Sequence, residues 1–162
     1  MTPELRCLIS VDHIGAQGLD VVVEASAAER AALARRMGIP DVQSLVCRFR
    51  VTRIGADRFA ALGHLSAQVV QTCVISLDEF SAAIDEHFRL RFVPAGEETD
   101  DVDPEDPVDE IGYRDGLLDV GEATAEQLGL ALDPYPRRPG ATLAEHDAEP
   151  PPPHPFDALR RH

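Results

Sequence analysis

The sequence predicts an α+β fold: a twisted, mostly antiparallel β-sheet, able to curl toward a barrel, with two main helices packed on it. Three observations predict it. Two long runs of alternating apolar and polar residues flank residues 72–77. A capped, Ala-rich helical segment lies in the first quarter of the chain, and a second capped segment precedes Pro134. The chain of 162 residues, with 44% hydrophobic content, is long enough for one domain with a real core.

The elements follow in order. Residues 5–11 alternate weakly, Gly15 and Gly18 punctuate, and residues 19–24 read as a second short strand, so an N-terminal hairpin is expected. Ser26 and Glu29 form a capping box by spacing. Ala31, Leu33, Ala34 and Met37 make an apolar stripe, and Gly38 followed by Pro40 ends the helix. From Val42 to Ile54 the chain alternates again, with Leu45, Cys47, Phe49 and Val51 inward and Arg48, Arg50 and Thr52 outward. Gly55, Ala56 and Asp57 supply a tight turn.

Phe59, Ala61, Gly63, Leu65, Ala67 and Val69 then share one parity, with His64, Ser66 and Gln68 on the other. Phe80, Ala82, Ile84, Phe88, Leu90 and Phe92 alternate with Ser81, Asp85, His87, Arg89 and Arg91. Period two of this length predicts two strands with one wet face each, paired across the turn. Helical spacing of Leu77, Phe80, Ile84 and Phe88, with a possible capping box at Ser76 and Glu79, competes over the first half of the second run. The clean alternation of residues 87–93 favours strand. Further strands are expected at residues 108–113 and 116–120, and a last helix over residues 122–131, with Asp119 and Glu122 as its cap, Leu128 and Leu132 inward and Pro134 closing it.

Residues 1–140 are read as one domain. A loop at residues 95–107 is expected to be mobile, because it holds Pro104, Pro107 and almost no apolar surface to offset its ordering entropy. The Pro-rich tail, residues 141–162, is expected to be disordered.

Charge narrows the function classes. Net charge is −14, and nine of the 29 acidic residues fall between Glu97 and Glu110 without one basic residue among them. All 15 basic residues are arginine, a bias that codon usage explains more simply than function. A chain this acidic is repelled by bare phosphates, so a broad nucleic-acid surface is not expected, and basic proteins are better partners. The arginines at 48, 50, 89 and 91 are expected to make the strand faces locally positive. Three cysteines, an odd number and widely spaced, do not form a disulfide framework and point to a reducing compartment. The start of the chain is not signal-like, and no apolar run reaches the ~18 residues of a membrane span, so a soluble cytoplasmic protein is expected, without a membrane partner.

The enzyme-like signals have plainer readings. Cys73 and Ser76 mimic a monothiol redox motif, but the βαβ context is absent and a packed structural cysteine is the better reading. His13, His64, His87, His146, His154 and His162 lack metal-site spacing. His64 and His87 come together across the proposed hairpin, a weak candidate pair for a surface site, and solvated strand histidines are favoured. Asp101, Asp103 and Glu105 alternate but lack the glycine and twelfth-position carboxylate of a calcium loop. No nucleophile elbow and no phosphate loop is present.

One resemblance rests on the order of several motifs. A Gly-containing strand enters the Cys73-x-x-x-Leu77 turn, a strand ends in Phe92, Val93 and Pro94, and an acidic insertion follows. Then come Gly116-Leu117-Leu118-Asp119-Val120, the segment from Glu126 to Leu132 and a Pro-rich end. In this order the set resembles the YceD family over roughly residues 5–140. The resemblance implies a bacterial protein needed for normal levels of large-subunit ribosomal RNA, with an assembly or stabilisation role and no established catalytic activity.

Many family members carry Cys-x-x-Cys-Leu at the turn and a further cysteine near the Pro-rich end. Here Ser76 takes the second position, and Arg137 and Arg138 follow Tyr135 and Pro136 where the other would fall. One thiolate is far short of the four ligands of a structural zinc. No zinc, no other metal and no cofactor is therefore expected, and the Cys73–Ser76–Leu77 turn is expected to be held by backbone and Ser76 hydrogen bonds.

Two function classes remain. The first is a non-enzymatic factor in which Glu97, Glu98, Asp100, Asp101 and Asp103 capture a basic large-subunit ribosomal protein or pre-ribosomal particle. Arg48, Arg50, Arg89, Arg91, Arg137 and Arg138 would then contact RNA locally. The alternative is a protein that binds or processes the ribosomal RNA precursor directly. Net charge and an aromatic content of 5%, which leaves few stacking platforms, stand against it.

Overall fold

The computed structural model describes residues 4–98 and 108–138. The greater part of the acidic loop and the whole of the Pro-rich tail named above lie outside the described residues. Within them the chain runs β1 (Leu8–Ser10), a 3-10 turn (Val11–His13), β2 (Leu19–Glu24), α1 (Ala27–Met37), β3 (Asp41–Arg53), β4 (Phe59–Thr72), β5 (Glu79–Pro94), β6 (Asp109–Tyr113), β7 (Leu117–Asp119) and α2 (Val120–Ala131).

The alternation read in the sequence builds the main sheet. β2, β3, β4, β5 and β6 pair in that order, all antiparallel except the parallel β5–β6 edge. β4 and β5 pair along their length from Phe59↔Phe92 to Thr72↔Glu79. The helical alternative for the start of β5 fails at Leu77, whose φ of 62° is left-handed and stops a helix before it begins. The sheet is open, ending at β2 and β6, and does not close into a barrel.

Both helices start where side-chain chemistry says they should. Ser26 accepts the Glu29 backbone N–H at 3.2 Å while the Glu29 carboxylate accepts the Ser26 N–H at 2.9 Å, satisfying two of the first turn's orphan donors. Gly38 closes α1 in the left-handed conformation, with φ 68°. Leu33 and Ala34 carry the buried face; Ala31, expected in the stripe, is exposed. In α2 the Asp119 carboxylate accepts the Glu122 N–H at 2.9 Å, and the helix begins at Val120, two residues before the expected start. Leu128 is fully buried, while Leu132 is only half-buried.

The expected N-terminal hairpin is not formed. β1 pairs antiparallel with β7, and β2 pairs with β3. Gly15 and Gly18 keep only a one-bridge turn. The reason is burial: β1 contributes Ile9 and β7 contributes Leu118 to one shared core, and the Cys7 carbonyl accepts the N–H groups of Val120 and Gly121 at the start of α2. That core lies on one face of the sheet, where Leu45, Phe59, Leu65, Leu90, Phe92 and Leu128 are each at most 2% exposed. Each such side chain contributes roughly 1.5–3 kcal/mol by leaving water. The opposite sheet face carries the residues of functional interest.

Candidate functional site

The outward residues of β2 to β5 form two cross-strand rows. Asp20, Arg50, Leu62 and Arg89 are successive register partners in one, and Val22, Arg48, His64 and His87 in the other. Arg91 lies opposite Ala60, two register pairs beyond the first row and on the same face. The four strand arginines do share this face, as alternation predicts, but the face is not simply positive. Arg50 bonds Asp20 at 3.0 Å and also donates to the Gln17 carbonyl, and Arg91 lies 3.9 Å from Glu110. Arg48 has no ion-pair partner among the described residues. Val22 and Leu62 are 55% and 54% exposed, which gives the centre of the face an apolar floor.

His64 and His87 face each other across β4 and β5, their rings stacked with centroids 4.1 Å apart and planes 8° from parallel. Asp85, diagonal to His64 on the same face, places Oδ1 2.6 Å from His64 Nε2. One ligand atom from each of the three lies within 4.8 Å of the others. The sequence brings the two histidines together across the hairpin as a candidate pair, with solvated strand residues the favoured reading, and does not join Asp85 to them. Pairing 64 with 87 through the hairpin puts 85 two residues away on the same side, so the signal was present in the register.

At the far end of the same hairpin, Cys73 organises the turn. Its carbonyl accepts the Leu77 N–H at 2.8 Å, its own N–H donates to Asp78 at 2.8 Å, and its sulfur accepts the Ser76 N–H at 3.4 Å. Ser76 Oγ accepts the Asp78 N–H at 3.4 Å. The segment after α2 closes over the turn, with Val74 N–H donating to Pro136 at 2.9 Å. The thiol is pushed down to about 6, first by the Arg138 backbone N–H, then by the Ser76 hydroxyl and N–H and the Ile75 N–H. These donors favour the thiolate. Cys73 has no exposed surface, although it does not belong to the main hydrophobic cluster. Backbone and Ser76 hydrogen bonds thus hold the turn, joined by a contact from the C-terminal segment that the sequence did not suggest. Cys47 is the opposite case: burial in the sheet pushes its thiol up to about 11.

Arg138 lies 3.8 Å from Asp78, so one of the two arginines after the Tyr135–Pro136 pair is tied to the turn. Of the acidic residues expected to bind a partner, Glu98 is exposed but engaged by its own loop: its carboxylate accepts the Gly96 N–H at 2.8 Å and fills the space beside Gly112 that a Cβ would need. Glu97 is exposed. Asp100, Asp101 and Asp103 lie outside the described residues. Arg36, not singled out from the sequence, bridges α1 to α2 by a two-pronged contact with Glu122 at 2.7 and 3.1 Å, and reaches Glu4 at 3.2 Å.

The comparison with protein families decides the relationship. The family model described as large ribosomal RNA subunit accumulation protein YceD matches residues 61–159. The chain belongs to the YceD family. The match takes in almost all of β4, the Cys73 turn, β5, β6, β7 and α2, so the hairpin that holds the His64–Asp85–His87 cluster lies within the YceD match, and β1, β2, α1 and β3 lie before it. No curated protein and no solved structure matches the chain. No helix among the described residues is long and apolar enough to cross a membrane.

Proposed function

We propose that this protein supports the accumulation of large-subunit ribosomal RNA as a non-enzymatic binding factor in the cytoplasm, with its acidic segment engaging a basic large-subunit ribosomal protein or a pre-ribosomal particle. The YceD match carries the link to the process. The concentration of nine carboxylates between Glu97 and Glu110 supports the choice of partner, because a cationic protein gains encounter rate and register from such a segment while RNA is repelled by it.

The sheet face supports the same choice over direct RNA binding. A phosphate-reading surface keeps its guanidinium groups available, whereas Arg50 and Arg91 on this face, and Arg138 beside the Cys73 turn, are each within 4 Å of a carboxylate. Contact with RNA is then secondary and local, through Arg48 or Arg137. No catalytic step is assigned: the low-lying Cys73 thiol is covered by its own turn and the Cys47 thiol is buried in the sheet.

Affinity capture of the tagged protein from its own lysate, at low and moderate salt and with or without nuclease, tests the reading. The expected result is a basic large-subunit protein that survives nuclease and is released by salt. Recovery of protein and RNA together, all lost on nuclease treatment, would overturn it in favour of direct RNA binding.

A further inference from the structure

The outward face of the β4–β5 hairpin carries a second chemistry that the acidic segment does not explain. We propose that His64, Asp85 and His87 form a binding site for a divalent transition-metal ion of the zinc, nickel or copper class. Imidazole and carboxylate are the donors such ions take, and two imidazoles with one carboxylate are a three-point set that leaves a position for water or a partner's ligand.

The scaffold suits the site. His64 and His87 are register partners on two long strands, so their Cβ positions are held by the backbone and only side-chain torsions need to adjust. The three ligand atoms lie within 4.8 Å of one another, and two donors of one tetrahedral ion stand about 3.3 Å apart, given bonds of ~2.0–2.1 Å. His64 Nε2 and Asp85 Oδ1, now 2.6 Å apart, must open slightly, while His87 swings toward them. Asp85 is 72% exposed and His64 37%, which leaves both free to do so. An open groove of about 400 Å³ lined by Val22, Arg48, Leu62, His64 and His87 runs beside the cluster and admits the ion.

Electrostatics give each residue a part. The two imidazoles stack 4.1 Å apart, so both rings are held on the same side of the hairpin beside Asp85. Arg48, the register partner of His64 on β3, opposes a cation, and the Asp85 carboxylate offsets it. A bound ion would pin β4 to β5 at mid-hairpin and turn this part of the face cationic, without using the Cys73 turn at the hairpin's end.

Titration of the untagged full chain with zinc and with cobalt at pH 7.5 tests the proposal, with His64→Ala, His87→Ala and Cys73→Ser beside the wild type. The expected result is one equivalent of metal, affinity weakened about tenfold or more in each histidine variant, no change in Cys73→Ser, and a cobalt spectrum without thiolate charge transfer. In the wild type, paramagnetic nickel should broaden the ring resonances of His64 and His87 ahead of those of the other histidines, a readout independent of how the variants fold. Binding that survives both histidine substitutions, a thiolate signature, or no binding at millimolar metal would overturn it.

Discussion

The ring of Phe88 lies across Gly63, its register partner on β4, and occupies the space in which a side chain at 63 would begin. The same ring meets Phe49 of β3 edge to face, with centroids 5.7 Å apart. A glycine in the middle of a 14-residue strand is thus the gap that an aromatic cross-strand neighbour fills. Gly63→Ala should destabilise the protein by about 1–3 kcal/mol, because Phe88 has to leave its contact with Phe49. Denaturant unfolding measures it. In Gly63→Ala/Phe88→Ala the two losses should be less than additive, since the clash is gone; full additivity would show that the ring has another place to go.

Ser26 supplies the side-chain oxygen of the capping box that starts α1. Ser26→Ala should cost about 1 kcal/mol, and Ser26→Gly only a few tenths, because glycine keeps the extended cap conformation while both lose the oxygen that accepts the Glu29 N–H. Equal losses in the two variants would assign the cost to something other than capping.

Cys73 gives a pH dependence with a definite sign. Its folded thiol lies near 6 against an ordinary value of 9.0, so the folded state prefers the thiolate. The resulting stability is complete above pH 9, declines as pH falls between about 9 and 6, and is gone below that. Wild-type stability relative to Cys73→Ser should therefore be greater at pH 8.5 than at pH 6. A flat difference across that range would mean that the three N–H donors do not hold a thiolate.

The Arg36 bridge should be modest. Arg36 and Glu122 are each about one-third exposed, so solvent screens the pair despite its two-pronged geometry. A double-mutant cycle with Arg36→Ala and Glu122→Gln should give a coupling of about 0.5–1 kcal/mol that shrinks at 1 M salt. Glu122→Gln leaves the cap of α2 in place, because Asp119 bonds the backbone N–H of residue 122 rather than its side chain.

Local signals were legible and distant pairings were not. The β4–β5 hairpin could be read because each strand has one wet face and period two permits only one orientation toward the core. The α1 and α2 caps could be read because capping is a three-residue interaction. The expected β1–β2 hairpin differs from the structure because three residues, Leu8–Ser10, carry no partner information, and their partner β7 lies over a hundred residues away. The strand arginines were placed on the correct face, yet the pairing of Arg50 with Asp20 and Arg91 with Glu110 depends on which strands adjoin, so the local positive charge was overestimated. The closure of the Cys73 turn by Pro136 and Arg138 likewise needed the path of the chain after α2.

The most direct measurement is the ratio of large- to small-subunit ribosomal RNA in cells lacking this protein. Cells would be complemented either with the wild type or with a variant in which Glu97, Asp100, Asp101, Asp103, Glu105 and Asp106 are changed to the amides. That variant spares Glu98, which holds its own loop, and Glu110, which lies near Arg58 and Arg91. The account predicts that the ratio falls in the deletion, recovers with the wild type and stays low with the amide variant at equal protein level. An unchanged ratio in the deletion, or full recovery with the amide variant, would contradict it.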